Sequence, residues 1–252
     1  MGDDLAFAHD LADVADAITM PRFRAADLRL DTKPDTTPVS DADLAAEEAM
    51  RERVRNARPG EGVIGEEAGD DGGGDVRWVV DPIDGTKNFV RGVPVWATLI
   101  ALEREGEPVV AVVSAPALGN RWWATRGGGA FRDGETIRVS HIVRLEEASI
   151  SVTNPASMSR AGLGREYMAL SHHAWASRGF SDFWQHMLIA EGGVDVALEP
   201  VMFLWDYLPV QLIVEEAGGR CTDFKGETPY HGGSFLATNG VLHDAVLAAL
   251  SR

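Results

Sequence analysis

WVVDPIDGTKNF, Trp78 to Phe89, joins a buried-strand signal to a turn that carries two acids. Trp78, Val79 and Val80 suit a strand covered on both faces, and Asp81 falls where that strand would end. Pro82 stiffens the turn and Gly85 permits a tight backbone, so Asp81 and Asp84 could point into one cleft. Asp-Pro and Asp-Gly are also common turn formers, and Asp84 could instead cap a short helix begun by Thr86.

Upstream, Leu5, Ala8, Leu11, Ala12, Ala15 and Ile18 recur at helical spacing between Asp3 and Ala26. The pattern repeats from Asp41 to Ala57 behind a Ser40/Asp41 cap signal, which predicts two opening amphipathic helices. Between them KPDTTPVSDAD, Lys33 to Asp43, has prolines that forbid regular helix and reads as a loop. GDDGGGD, Gly69 to Asp75, reads as a mobile turn.

Downstream, RWVVD, VWATLIALERE, PVVAVVSAPA and RWWAT are short β-branched or aromatic runs, which predict a largely antiparallel sheet. Trp122 and Trp123 alternate across one of these strands, so one is expected inside and the other exposed or at a subunit contact. After about residue 140 strands alternate with helices: ASISVTN, DFWQHMLIAEG, VDVALE, WDYLPVQLIVEEAGG, SFLATNG and VLHDAVLAAL. An α/β fold with helical layers on two sheets is expected. Its halves are 1–140, carrying most of the acidic motifs, and 141–252.

The 252 residues, 45% of them hydrophobic, can bury a substantial core. The single Cys221 excludes an internal disulfide and fits a reducing compartment. The first residues are acidic where a signal peptide would be basic, and no apolar run approaches the roughly 18 residues that span a bilayer. A cytoplasmic protein is expected. A formal net charge of −16 repels nucleic acid and acidic membrane surfaces. If the substrate is an anion, something cationic must stand between it and this chain, and metal ions are the natural candidate.

Further acids follow two other apolar segments. GVIGEEAGD places Glu66 and Glu67 after a short apolar run, and LWDYLPV places Asp206 in the first turn of an otherwise apolar helix. Each has a structural reading: Glu66 or Glu67 on a solvated loop, Asp206 as a helix-dipole partner. Together the acids supply hard oxygen ligands, the set Mg²⁺ prefers, while zinc spacings such as HExxH or CxxC are absent. Two or three such ions could polarise a phosphate ester and lower the pKa of a bound water. The N–H groups of Gly85 and Thr86, at an expected helix start, could cradle phosphate oxygens.

IGEE at Ile64 to Glu67, DPIDGTKNF at Asp81 to Phe89 and WDYLPVQLIVEEAGG at Trp205 to Gly219 together resemble the inositol monophosphatase-like, Mg²⁺-dependent phosphatases. The resemblance covers most of the chain. It implies a layered α/β/α/β/α sandwich, usually dimeric, acting on a small phosphorylated metabolite. It also implies one metal on Glu66, Asp81 and the Ile83 carbonyl, a second on Asp81, Asp84 and Asp206, and a third, weaker ion sharing Glu66. Thr86, with Asp43 as the matching acid of the early loop, would orient and activate the attacking water. Glu67 would be an orienting or surface residue, and Lys33 and Asp35 either lie near the metals or are ordinary loop charges.

Specificity is expected in the second half. Where inositol phosphatases show R-x-x-G-[ST]-A-A, this chain has SRGFSDFWQHM, with an acid and two aromatics in place of small residues. RGFSDFWQHMLIAEGGVDVALEP is similar to the histidinol-phosphate phosphatase branch of the family. Asp182 and Glu199 could pair with the ammonium and imidazole of such a substrate, Trp184 could stack on its ring, and Arg178 could contact phosphate or tie down the loop. Alternatively Asp182 caps its helix, and Phe183, Trp184, Met187 and Leu188 at helical spacing are core. His172 and His173 are expected solvated in a polar loop. Inositol phosphate, another sugar phosphate such as fructose 1,6-bisphosphate, and a non-catalytic acidic scaffold remain as alternative readings.

Overall fold

The computed structural model describes residues 2–34, 37–72, 74–228 and 233–251; Asp35 lies outside them. The first half contains α1 (Gly2–Arg22), β1 (Leu30–Thr32), β2 (Pro38–Ser40), α2 (Asp41–Ala57), β3 (Gly62–Gly65), β4 (Gly69–Asp70) and β5 (Val76–Asp84). It continues through α3 (Thr86–Val90), β6 (Ala97–Arg104), β7 (Glu107–Ala115), β8 (Asn120–Thr125), β9 (Gly129–Arg132) and β10 (Glu135–Thr136). The second half contains β11 (Ser149–Val152), α4 (Pro155–Arg160), α5 (Gly164–His173), β12 (Ala176–Arg178), α6 (Asp182–Ala190) and β13 (Val196–Met202). It ends with α7 (Leu204–Glu216), β14 (Arg220–Thr222), β15 (Gly233–Thr238) and α8 (His243–Leu250).

An eight-stranded sheet runs β10-β9-β8-β7-β6-β5-β3-β4, antiparallel except for the β3–β5 pair. A five-stranded sheet runs β12-β11-β13-β15-β14. Alternation along β5 divides its side chains between two layers. Trp78 and Val80 pack with α1 and α2, through Phe7, Leu11, Met50 and Val54. Val79 packs on the other face with Leu208, Leu212 and Ile213 of α7 and with Met187 of α6. Beyond the second sheet, Tyr167, Leu170, Val246 and Leu250 of α5 and α8 cover Ile150, Val196 and Leu236. The order α1/α2, sheet, α6/α7, sheet, α4/α5/α8 is the expected five-layer sandwich, and the middle helical layer gives both halves one shared core.

The opening helix stops at Arg22, short of the expected Ala26. Ser40 caps α2 in a capping box whose reciprocal partner is Asp43. Trp122 is buried, its indole N–H on Glu191, whereas Trp123 is half-buried and stacks on Phe131. His172 and His173 end α5 and do not lie in a loop. Among the described residues no helix is long and apolar enough to cross a membrane.

Candidate active site and metal centre

Strand β5 does not end at Asp81. It runs on through Pro82 and Ile83 to Asp84, and the register against β6 explains how two acids three apart share one side. Asp81 sits opposite Leu99 and Asp84 opposite Ala97, so Pro82 and Ile83 together face the single residue Thr98. In an unbroken strand residues three apart point to opposite faces; the extra residue of this bulge turns Asp84 back to the face of Asp81 and Val79, toward α7. The Thr98 hydroxyl donates to the Pro82 carbonyl at 2.8 Å and the Ile83 N–H donates to Asp81 Oδ1 at 2.9 Å, which pins the bulge. Proline suits a bulge, where a ladder donor is dispensable.

Gly85 follows with φ 86° and caps α3. A Cβ there would lie 3.1 Å from the Val95 carbonyl and 3.3 Å from an Asp182 oxygen, so backbone conformation and space both demand glycine. Asp206, third in α7, also belongs to this region, and its carboxylate accepts the Phe203 N–H at 3.0 Å. One carboxylate oxygen from each of Asp81, Asp84 and Asp206 lies within 4.8 Å of the other two. They line a cavity of about 260 Å³ together with Glu66, Ile83, Gly85, Thr86, Lys87, Asp182, Phe203 and Trp205.

Glu66 lies outside that tight trio but on the same cavity, and Lys33 holds it at 2.6 Å while also holding Glu67 at 2.8 Å. The turn carrying Glu66 is fixed from below by residues the sequence reading did not single out. Buried Glu47 of α2 accepts the N–H groups of Glu67 at 2.7 Å and Ala68 at 2.9 Å, and pairs with buried Arg51 at 2.8 Å. A side chain at Gly65 would collide with the Glu47 carboxylate.

Crowded acids in a buried place resist ionisation. Burial first, and then the charges of Glu66 and the neighbouring aspartates, holds Asp81 well above the ordinary carboxylate range; burial and then Asp182 and Asp206 do the same for Asp84. Burial, reinforced by Glu66, Asp182 and Glu199, pushes Asp206 up to about 7. Hard oxygen donors that repel one another this strongly fit a hard divalent cation, which would relieve the repulsion. Asp81, Asp84, Asp206, Glu66 and the Ile83 carbonyl are the residues that could hold it.

Asp43 belongs to the first turn of α2, a correction to its expected place in the early loop. It is fully buried, and burial raises its pKa to about 6. One carboxylate oxygen accepts the Ser40 hydroxyl at 2.5 Å; the other lies 3.4 Å from the Thr86 hydroxyl, which also reaches the Ile83 carbonyl at 3.0 Å. Thr86 thus stands between the cavity and a buried acid.

A second cavity of about 150 Å³ opens beside the first, sharing Asp84, Asp182 and Asp206 and adding Thr153, Glu199, Val201 and Met202. Asp182 is the first residue of α6, after Ser181 as the cap residue, and its carboxylate accepts the Asn88 amide at 3.0 Å and the Ser181 hydroxyl at 2.5 Å. Burial raises its pKa, and it raises that of Glu199 to about 7. The next N–H, of Phe183, donates to Asp84 Oδ2 at 2.6 Å, so the start of α6 touches the acidic trio directly. Arg178, in contrast, is exposed on edge strand β12, its guanidinium on the Ser177 carbonyl, and lines neither cavity. Trp184 packs against the core and Phe180. The aromatic surface at the cavity is Phe203, half exposed and stacked on Trp205 at 5.3 Å.

The inositol monophosphatase family model matches residues 3–252. The chain belongs to the inositol monophosphatase family. Among its relatives, a histidinol-phosphatase of Mycobacterium tuberculosis is 51% identical over 99% of this chain and 98% of its own length. One of Streptomyces coelicolor is 49% identical over 99% and 97%. The solved Thermotoga maritima IMPase superposes with a TM-score of 0.90 at 31% identity, covering 99% of this chain and 97% of the other. Metal dependence is a property of the inositol monophosphatase family, and the carboxylate trio is where this member could meet it.

Proposed function

We propose that this protein hydrolyses L-histidinol phosphate to L-histidinol and phosphate, using two or three Mg²⁺ ions held by Glu66, Asp81, Ile83, Asp84 and Asp206. Near 50% identity to two histidinol-phosphatases over almost the whole chain carries the reading. Bound there, Mg²⁺ would supply the positive charge that screens the phosphate from this acidic protein and stabilises the leaving oxygen. The residues do the rest. The Gly85 and Thr86 N–H groups receive phosphate oxygens at the start of α3, and Thr86 orients the attacking water while passing its proton toward Asp43.

The leaving group enters the second cavity. Asp182 and Glu199 meet its ammonium and imidazole, and Phe203 offers a ring face beside them. A polyol phosphate would set neutral hydroxyls against the same two carboxylates, which is a poorer match. The reaction belongs to histidine biosynthesis and to the cytoplasm. The protein acts as a homodimer, for which exposed Trp175 and Met168 offer apolar surface.

Phosphate release from L-histidinol phosphate, with and without Mg²⁺, tests the reading. The protein should turn over only with the metal, and Asp84→Asn should lose about 1,000-fold or more in kcat while keeping its circular dichroism spectrum. Metal-independent turnover, or an Asp84→Asn variant as active as the parent, would overturn it.

A further inference from the structure

Behind the second cavity lies a set of linked polar groups centred on Gln185, a residue of α6 with no exposed surface. Its amide oxygen accepts the Ser151 hydroxyl at 2.7 Å. Its amide nitrogen donates to Thr153 Oγ1 at 3.1 Å and to Glu199 Oε1. The same Thr153 oxygen accepts the Asp182 N–H at 3.0 Å, and the Thr153 N–H donates to Glu199 Oε1 at 3.0 Å. One side-chain amide therefore braces the Glu199 carboxylate directly and, through Thr153, the backbone that carries Asp182.

Two details give this brace a direction. The two N–H donors to Glu199, from Gln185 and the Thr153 backbone, fall on Oε1, which leaves Oε2 as the oxygen available to a ligand. Both are also neutral. An arginine or lysine in the place of Gln185 would cancel the charge of Glu199 internally, whereas an amide fixes the carboxylate and leaves its charge to be met from the cavity. On the other side, Ser181 and Asp182 take φ of 73° and 46°, a conformation ordinary residues rarely adopt. The Asp182 N–H that this turn presents is held by Thr153, and Thr153 is held by Gln185.

We propose that Gln185 is a positioning residue that sets the spacing of Asp182 and Glu199, and thereby makes the enzyme select an ester whose leaving group carries a cation. This rests on the substrate reading given above. Gln185 does not touch the ester; it acts through the two acids, so it governs affinity for the cationic leaving group and leaves the phosphate chemistry alone.

The test is Gln185→Met, of equal length and without hydrogen bonds, assayed on L-histidinol phosphate and on β-glycerophosphate, a small alkyl phosphate with no cation. KM for L-histidinol phosphate should rise about tenfold with kcat within about threefold, while kcat/KM for β-glycerophosphate stays within about twofold. Ser151→Ala, a smaller change that loosens the same amide, should move the same KM about threefold and covers the case in which Gln185→Met does not fold. A wild type with no preference for L-histidinol phosphate overturns the substrate reading. A wild type with that preference, unchanged in both variants or lost equally on both esters, overturns this inference alone.

Discussion

Lowering the pH from 8 to 6 should weaken Mg²⁺ binding by a calculable amount, because the ion must displace protons from its ligands. With a pKa of about 7, Asp206 is roughly one-tenth protonated at pH 8 and nine-tenths at pH 6, which costs about tenfold in affinity from this group alone. Asp81 and Asp84, also held well above the ordinary carboxylate range by burial and by the neighbouring acids, add to that factor. Calorimetric titration of Mg²⁺ in two buffers of different ionisation enthalpy counts the protons, and about one or more should leave per protein molecule as the centre fills at pH 6. The metal-free protein should show the opposite trend in stability. A carboxyl whose folded pKa is raised binds more protons folded than unfolded, so its contribution favours folding in acid and is lost as pH rises from the ordinary 3.8 through about 7. A dissociation constant unchanged between pH 6 and 8, with no proton release, would refute a centre built from these acids.

Gly65→Ala should destabilise the protein by about 1–3 kcal/mol and loosen metal binding, because the added methyl displaces the Glu47 carboxylate that fixes the Glu66 turn; chemical denaturation with and without Mg²⁺ reads both. Phe203→Leu should raise KM for L-histidinol phosphate about fivefold and leave β-glycerophosphate unaffected, since it removes a stacking face and no charge. Equal effects on the two esters would remove Phe203 from substrate recognition.

The layers and the acidic trio were legible in the sequence because both rest on local patterns. The apolar spacing of Leu5 to Ile18, the unbroken Trp78-Val79-Val80 and the Asp-x-x-Asp-Gly-Thr order each report a nearby physical constraint. What stayed hidden depends on distant partners. The bulge at Pro82 and Ile83 exists only against Thr98, so the sequence suggested a strand ending at Asp81. Glu47 and Arg51 pair at helical spacing, but what keeps them and Gln185 buried is the backbone and side-chain groups of other elements that meet them, and no spacing announces that. Arg178 and Trp184 lie close in sequence to Asp182, yet the edge position of β12 and the inward face of α6 take them elsewhere. The exposed aromatic at the cavity, Phe203, had one signal: it stands three residues before Asp206, on the same strand-to-helix junction.

The most direct test of the central claim is the ratio of kcat/KM for L-histidinol phosphate to that for inositol 1-phosphate, measured on the Mg²⁺-loaded protein at one pH. Two carboxylates facing the leaving group predict a ratio of about tenfold or more in favour of the histidinol ester. A preference of similar size for inositol 1-phosphate would contradict it.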